Sequence, residues 1–129
     1  MIAFLATLWA LPGSLLGFLV GVVSDTSPIA EEDGVLHLRD NGGPGSPAGR
    51  FFRRFRFGAI TLGEIVIYRD SEAYQALKAH ELRHVSQWRL LGPLFPLVYG
   101  AASLLALLQG GHGYRDNALE VDARKHAGP

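Results

Sequence analysis

Apolar positions fall into two long blocks, separated by a stretch whose period changes from 2 to that of a helix. Residues 1–23, MIAFLATLWALPGSLLGFLVGVV, carry no charged side chain, and about 20 such residues suffice to cross hydrocarbon. The block is expected to be a transmembrane or membrane-embedded helix. Two alternatives are a signal peptide, which lacks its basic n-region and cleavage site here, and a buried helical hairpin broken at Pro12-Gly13. Residues 24–34 are polar and are expected to be a linker. Val35-Leu36-His37-Leu38-Arg39 alternates as a half-buried strand does, and Asp40 to Gly49 is turn chemistry. Gly58 to Arg69, GAITLGEIVIYR, is rich in β-branched residues and reads as one strand, or as two bent at Gly63.

Asp70 and Ser71 are good caps for a helix that follows from about Glu72 to Leu91 and stops at Gly92-Pro93. At about 100° per residue this helix gathers Ala73, Leu77, His80, Glu81, His84, Trp88 and Leu91 into one stripe. The second apolar block, 90–109, is broken early by Pro93 and Pro96. The helix left to it, about Leu97 to Gln109, is roughly 20 Å long and too short to cross a bilayer. A last short helix starts at Asp116 or Asn117. The element mix is α+β.

A chain of 129 residues supports one core. Its net charge of zero gives no argument for a nucleic-acid partner, and without cysteine it has neither disulfides nor thiolate metal sites. Charge matters locally. Arg50-Phe51-Phe52-Arg53-Arg54-Phe55-Arg56-Phe57 fits an anchor at an anionic membrane surface, and equally a strand with Phe55 and Phe57 inward. All 12 Lys and Arg follow the first block, which favours a cytoplasmic C-terminal domain if that block is the only span.

The stripe on the long helix carries the candidate chemistry. His80-Glu81-Leu82-Arg83-His84 is the His-Glu-x-x-His pattern of zinc hydrolases: two imidazoles one turn apart grip a metal, and the carboxylate takes a proton from its water. Burying two imidazoles and a carboxylate without partners is costly, and a metal removes that penalty. A third ligand is needed. The metzincin extension would require Gly at 87 and His at 90, where this chain has Gln87 and Leu90. Glu120 is the best remaining candidate, but Asn117-x-x-Glu120 is also a capping box, whose Glu would bond its own helix terminus. Glu32, Asp122, His112 and His126 are weaker candidates. His112 and Tyr114 are alternatively donors to a tetrahedral intermediate.

Gly58-Ala-Ile-Thr61-Leu-Gly63-Glu-Ile-Val-Ile, followed after a gap by Ala79-His80-Glu81-Leu-Arg-His84-Val-Ser-Gln87, resembles the small gluzincin-like domains in the core of extracellular contractile injection system proteins. Gly-Pro-Leu-Phe after the helix and Tyr-Arg-Asp-Asn-x-x-Glu near the end are similar to small bacterial membrane-associated proteins of unknown function. The likeness covers roughly residues 58–126. It implies a minimal zincin-like domain over 35–129, with an edge strand at about 60–67 beside the active-site helix and Glu120 as third ligand. Gluzincins commonly carry an acidic residue four after that Glu; position 124 is Arg here, leaving Asp122 as the candidate to buttress a ligand. If Glu120 shares a metal with His80 and His84, residues 90–109 do not cross a bilayer between them.

The expected function is a zinc-dependent metallopeptidase at a membrane; the alternative is a non-catalytic, metal-stabilised sensor or scaffold. Its cofactor would be Zn²⁺, its partners a peptide or protein substrate and membrane lipids, its location the bacterial inner membrane.

Overall fold

The computed structural model describes residues 2–43 and 45–127; Met1, Pro44, Gly128 and Pro129, which the expected segments included, lie outside the described residues. Helix α1 (Ile2–Val23) runs unbroken through Pro12-Gly13, so the hairpin alternative is not what forms. Strands β1 (Thr26–Glu32) and β2 (Val35–Asp40) follow, then α2 (Pro47–Phe55), β3 (Ala59–Leu62), β4 (Ile65–Tyr68), α3 (Ser71–Leu91), a short 3₁₀ turn at Gly92–Leu94, α4 (Phe95–Leu108) and α5 (Ala118–Ala127). The fold is α+β, with a mixed sheet ordered β1-β2-β4-β3, parallel only between β2 and β4.

Two expectations need correction. Residues 24–34 are not a linker: β1 pairs antiparallel with β2, Glu32 opposite Val35. The turn between them is Asp33-Gly34, both at positive φ, the conformation that a two-residue hairpin of type I′ requires. Pro28 is tolerated because β1 is an edge strand, and the register slips between Pro28 and Ala30. The arginine- and phenylalanine-rich run is not a strand. Ser46 caps α2 by accepting from Gly49 N at 3.2 Å, Pro47 occupies the first turn, and Phe52 is buried with Leu38, Ile65 and Ile67. Phe55, inward in the strand reading, is exposed.

Gly63 ends β3 at φ +65°, and the bend expected there is a tight hairpin into β4. Successive strand residues face opposite sides. Val66 and Tyr68 meet Ala73 and Val85 of α3, whereas Ile65 and Ile67 meet Phe52 of α2 and half-buried Val20 of α1. The sheet therefore lies between α3 and the α1–α2 layer. Asp70 caps α3, accepting from Ala73 N at 2.8 Å. Beyond α4 the chain doubles back. Asn117 donates to Tyr99 O at 3.0 Å and to Ser103 Oγ at 2.8 Å, which brings α5 onto α3 and α4.

α1 is not a separate anchor. Gly13, Gly17 and Gly21 face Trp88, Leu62 with Ile65, and Leu38 in turn, each too close for a Cβ to fit without displacement. Glu64 N donates to Ser14 Oγ at 2.9 Å, and Thr7 Oγ1 donates to the buried Glu64 carboxylate at 3.1 Å. Ala10 is buried against Trp88 and Phe95, and the large apolar side chains of α1 are exposed on its other side. Two helical stretches, Ile2–Val23 and Ser71–Leu108, are long and apolar enough to cross a membrane.

Candidate metal centre

The helical spacing of His80 and His84 brings their Nε2 atoms to 3.2 Å from one another. The return of the chain through α4 and α5 adds Glu120, whose Oε1 lies 3.0 Å from His80 Nε2 and 3.1 Å from His84 Nε2. Glu81 completes the cluster, and His80, Glu81 and His84 together could hold a metal ion. Glu120 does not bond its own helix terminus. Asn117 Oδ1 caps α5 alone, accepting from Leu119 N at 2.9 Å, which resolves the capping-box alternative. Residues 90–109 accordingly do not separate Glu120 from the two histidines.

Hydrogen bonding around the triad sets its protonation. Gln87 Nε2 donates to Leu119 O and to Asp122 Oδ2, both at 2.9 Å. Its Oε1 therefore faces His84 Nδ1, 2.8 Å away, as an acceptor, and Nδ1 carries the proton. In the neutral form that a metal ligand requires, His84 presents a lone pair at Nε2, and Glu120 Oε1 presents another. One proton on His80 Nε2 can serve only one of these contacts, whereas a cation at their common centre serves all three. The donor set fits a metal.

Each group is held from outside. Tyr99 Oη donates to Glu120 Oε2 at 2.7 Å, leaving Oε1 for the triad. Asp122 accepts from Arg83 Nε at 2.7 Å, and through Gln87 it orients His84. It buttresses that histidine at one remove. Thr61 Oγ1 donates to Glu81 Oε2 at 2.7 Å. Trp88 Nε1 donates to Thr61 O at 3.1 Å, locking β3 to α3.

Burial penalises the charge on Glu81 and raises its carboxyl above the ordinary value. For Glu120 burial acts in the same direction, but the hydrogen bonds from His80 and His84 outweigh it and hold the carboxyl below the usual range. Burial lowers His84, and the Glu120 carboxylate more than offsets it, so the ring lies above the ordinary histidine value. The Tyr114 hydroxyl is pushed up to about 12, by burial first and then by the charges of Glu120 and Glu81.

The triad forms the floor of a cleft of about 710 Å³, walled by Thr61 and Leu62 of β3, Leu16 of α1, Phe57, Tyr99 and Tyr114. Of the other candidates only Tyr114 reaches it, with its ring packed 5.0 Å from that of Phe57. His112 is exposed and serves its own loop, Nδ1 accepting from Tyr114 N at 3.2 Å and Arg115 N at 3.1 Å. Glu32 pairs with Lys78, and His126 bonds Asp122 O at 2.9 Å. His37 is a core residue, its Nδ1 2.9 Å from Tyr68 Oη. Sequence reasoning missed three contributors, Thr61, Gln87 and Tyr99. Gln87 was detectable in principle, as a polar residue one turn beyond His84 that helical geometry puts in reach of the imidazole.

No family model, curated protein or solved structure matches the chain. What the site can do rests on its own geometry.

Proposed function

We propose that the protein is a zinc-dependent peptidase attached to a membrane. The observation that carries this reading is the triangle of His80 Nε2, His84 Nε2 and Glu120 Oε1, with sides of 3.0–3.2 Å. Zinc bonds of about 2.0–2.1 Å at tetrahedral angles place donor atoms ~3.3 Å apart, so the side chains need shift by only tenths of an ångström. When bound, zinc acidifies a water and polarises a substrate carbonyl.

The remaining work falls to the chain's own residues. Thr61 holds one oxygen of Glu81, and the other is free to take the proton of the attacking water. As the new C–O bond forms and the C–N bond breaks, Glu81 passes that proton to the leaving amine. A carboxyl that burial raises above its ordinary value suits a group that must both accept and return a proton. Tyr114, protonated at all working pH values, is placed to donate to the carbonyl oxygen as it gains charge. Strand β3 is the edge of the sheet nearer the triad. Since Ile60 pairs with Ile67 and Arg69 N donates to Gly58 O, alternation turns the backbone groups of Ala59 and the N–H of Thr61 outward, while Thr61 O is taken by Trp88 Nε1. An extended peptide can add to that edge as a further strand and lie across the triad.

The test uses the purified full chain. Elemental analysis is expected to find one zinc per chain, lost in His80→Ala and in Glu120→Ala. Glu81→Gln is expected to keep zinc and lose at least ~10²-fold in peptide cleavage. A metal-free wild type at micromolar zinc overturns the metal, and an unchanged cleavage rate in Glu81→Gln overturns the base. Full zinc content with no hydrolysis would favour the non-catalytic scaffold.

A further inference from the structure

An apolar helix of 22 residues is ordinarily taken to cross the bilayer, but the way α1 is docked argues against it. Its contacts run almost from end to end. Near its start Thr7 donates to Glu64; in its second half Gly17 faces Ile65 and Gly21 faces Leu38. α1 and the strands beneath it therefore advance in the same direction, with Ile65 level with Gly17 and Leu38 level with Gly21. Leu36 pairs with Ile65, and Val35 pairs with Glu32, so Glu32 lies level with the middle of α1. Arg89 extends the same layer, with Nε on Glu64 at 2.5 Å and its other end on Asp33 O at 2.8 Å.

Set upright in a bilayer, α1 would carry this whole layer into hydrocarbon. Glu31, Glu32 and Asp33 are exposed, and β1 pairs on one side only. Its other edge would have unpaired backbone N–H and C=O groups at membrane depth, where lipid-exposed sheet edges do not occur. Carboxylates facing lipid there are equally disfavoured. Laid flat, α1 no longer carries that edge into hydrocarbon. The exposed side of α1, with Leu15, Phe18, Leu19 and Val22, enters the leaflet while the sheet remains in water.

The helix beside α1 identifies the surface it meets. α2 joins the C-terminal half of α1 through Val20 and through Ser24 Oγ, which accepts from Ala48 N at 3.1 Å. Its outer side exposes Arg50, Arg53, Arg54 and Arg56 around the exposed ring of Phe55. Among the described residues none of these four arginines has an ion pair, whereas Arg69, Lys78, Arg83 and Arg89 all do. Unpaired guanidinium groups beside an apolar helix complement lipid phosphates.

We infer that α1 lies in the plane of one leaflet of an anionic bilayer, with the arginines of α2 on its headgroups, and that the chain enters and leaves the membrane on the same side. This rests on the membrane half of the proposed function and is independent of the metal. The test is topological. The chain has no cysteine, so Glu31→Cys gives a unique label site in β1, and a hydrophilic epitope before Met1 marks the start of α1. In sealed membrane vesicles of both orientations, an impermeant maleimide and an external protease are expected to reach the two markers from the same side. Markers on opposite sides overturn the inference alone. A chain found entirely in the soluble fraction overturns the membrane attachment as well. When phosphatidylglycerol and phosphatidylcholine vesicles compete, the wild type is expected to favour the anionic ones, and each of Arg53→Gln, Arg54→Gln and Arg56→Gln to lower that preference about fivefold. Equal partition of the wild type overturns the role of the arginines.

Discussion

Replacing Gly63 by alanine tests whether α1 is part of the folded domain. Gly63 has φ +65°, and an added Cβ would lie 2.8 Å from Ala10 O and nearer still to Ser14 N and Oγ. The left-handed backbone alone costs a non-glycine residue roughly 1 kcal/mol. Bringing Ala10 O out to ordinary contact distance requires ~0.6 Å of movement, with more needed at Ser14. That displacement breaks the Ser14–Glu64 hydrogen bond of 2.9 Å, worth about 1 kcal/mol. It also loosens the packing of Gly13 on Trp88, for another ~1–2 kcal/mol. The sum is about 3–4 kcal/mol, or a fall in Tm on the order of 10 °C for a chain of this size. Thermal unfolding in detergent, followed by circular dichroism, measures it. Gly100→Ala is the control of opposite sign. It sits inside α4 with nothing within 4 Å of the added Cβ, and the gain in helix propensity should stabilise by ~0.8–1 kcal/mol. A Gly63→Ala protein that unfolds within ~0.5 kcal/mol of the wild type would mean that α1 is not seated on the β3–β4 turn.

Three further outcomes follow from particular contacts. Gln87→Leu leaves the His84 Nδ1–H without its acceptor and should weaken zinc binding about 10–100-fold, read by competition with a chelator. Asp70→Ala removes the cap of α3 and should cost ~1 kcal/mol in urea unfolding. Arg83 first, then Gln87, hold the Asp122 carboxyl at about 2, below its unfolded value of about 3.9. Its stabilisation is thus complete above about pH 4 and is lost as pH falls toward 2. The pair is about one-third exposed and screened by water, so the difference between wild type and Asp122→Asn should stay under ~1 kcal/mol at neutral pH and vanish in acid.

What the sequence reveals follows how local each determinant is. α3 is legible because its cap, its apolar stripe and its Gly-Pro stop are all local, and they place His80, Glu81 and His84 on one buried face. The bend at Gly63 and the start of α5 at Asn117 are local in the same way. β1 fails that test: Thr-Ser-Pro-Ile-Ala-Glu-Glu has a proline and little alternation, and only the Asp33-Gly34 turn signals a hairpin. α2 fails because a strand and a helix account equally for alternating Arg and Phe until the core chooses Phe52. Glu120 is the deeper case. As a cap residue and as a ligand it satisfies the same local pattern, and the choice is made by Tyr99, which bonds it, and by the Gln87 contacts to Leu119 and Asp122, all of which form only once the chain turns back after α4. Tyr99 is carried there by α4, whereas Gln87 is fixed on α3 and depends on the return of the chain only for its partners on α5.

The docking of α1 is likewise written across the chain rather than within it. Gly13, Gly17 and Gly21 read as nothing more than small residues in an apolar run until Trp88, Leu62 and Leu38 come to face them. Gly63 then has two roles, closing the hairpin whose Thr61 holds Glu81 and leaving room for Ser14. The edge strand beside the candidate metal centre and helix α1 are thus joined at one residue. A substitution there that displaces α1 should also loosen Thr61 and with it the carboxylate that the proposed hydrolysis needs.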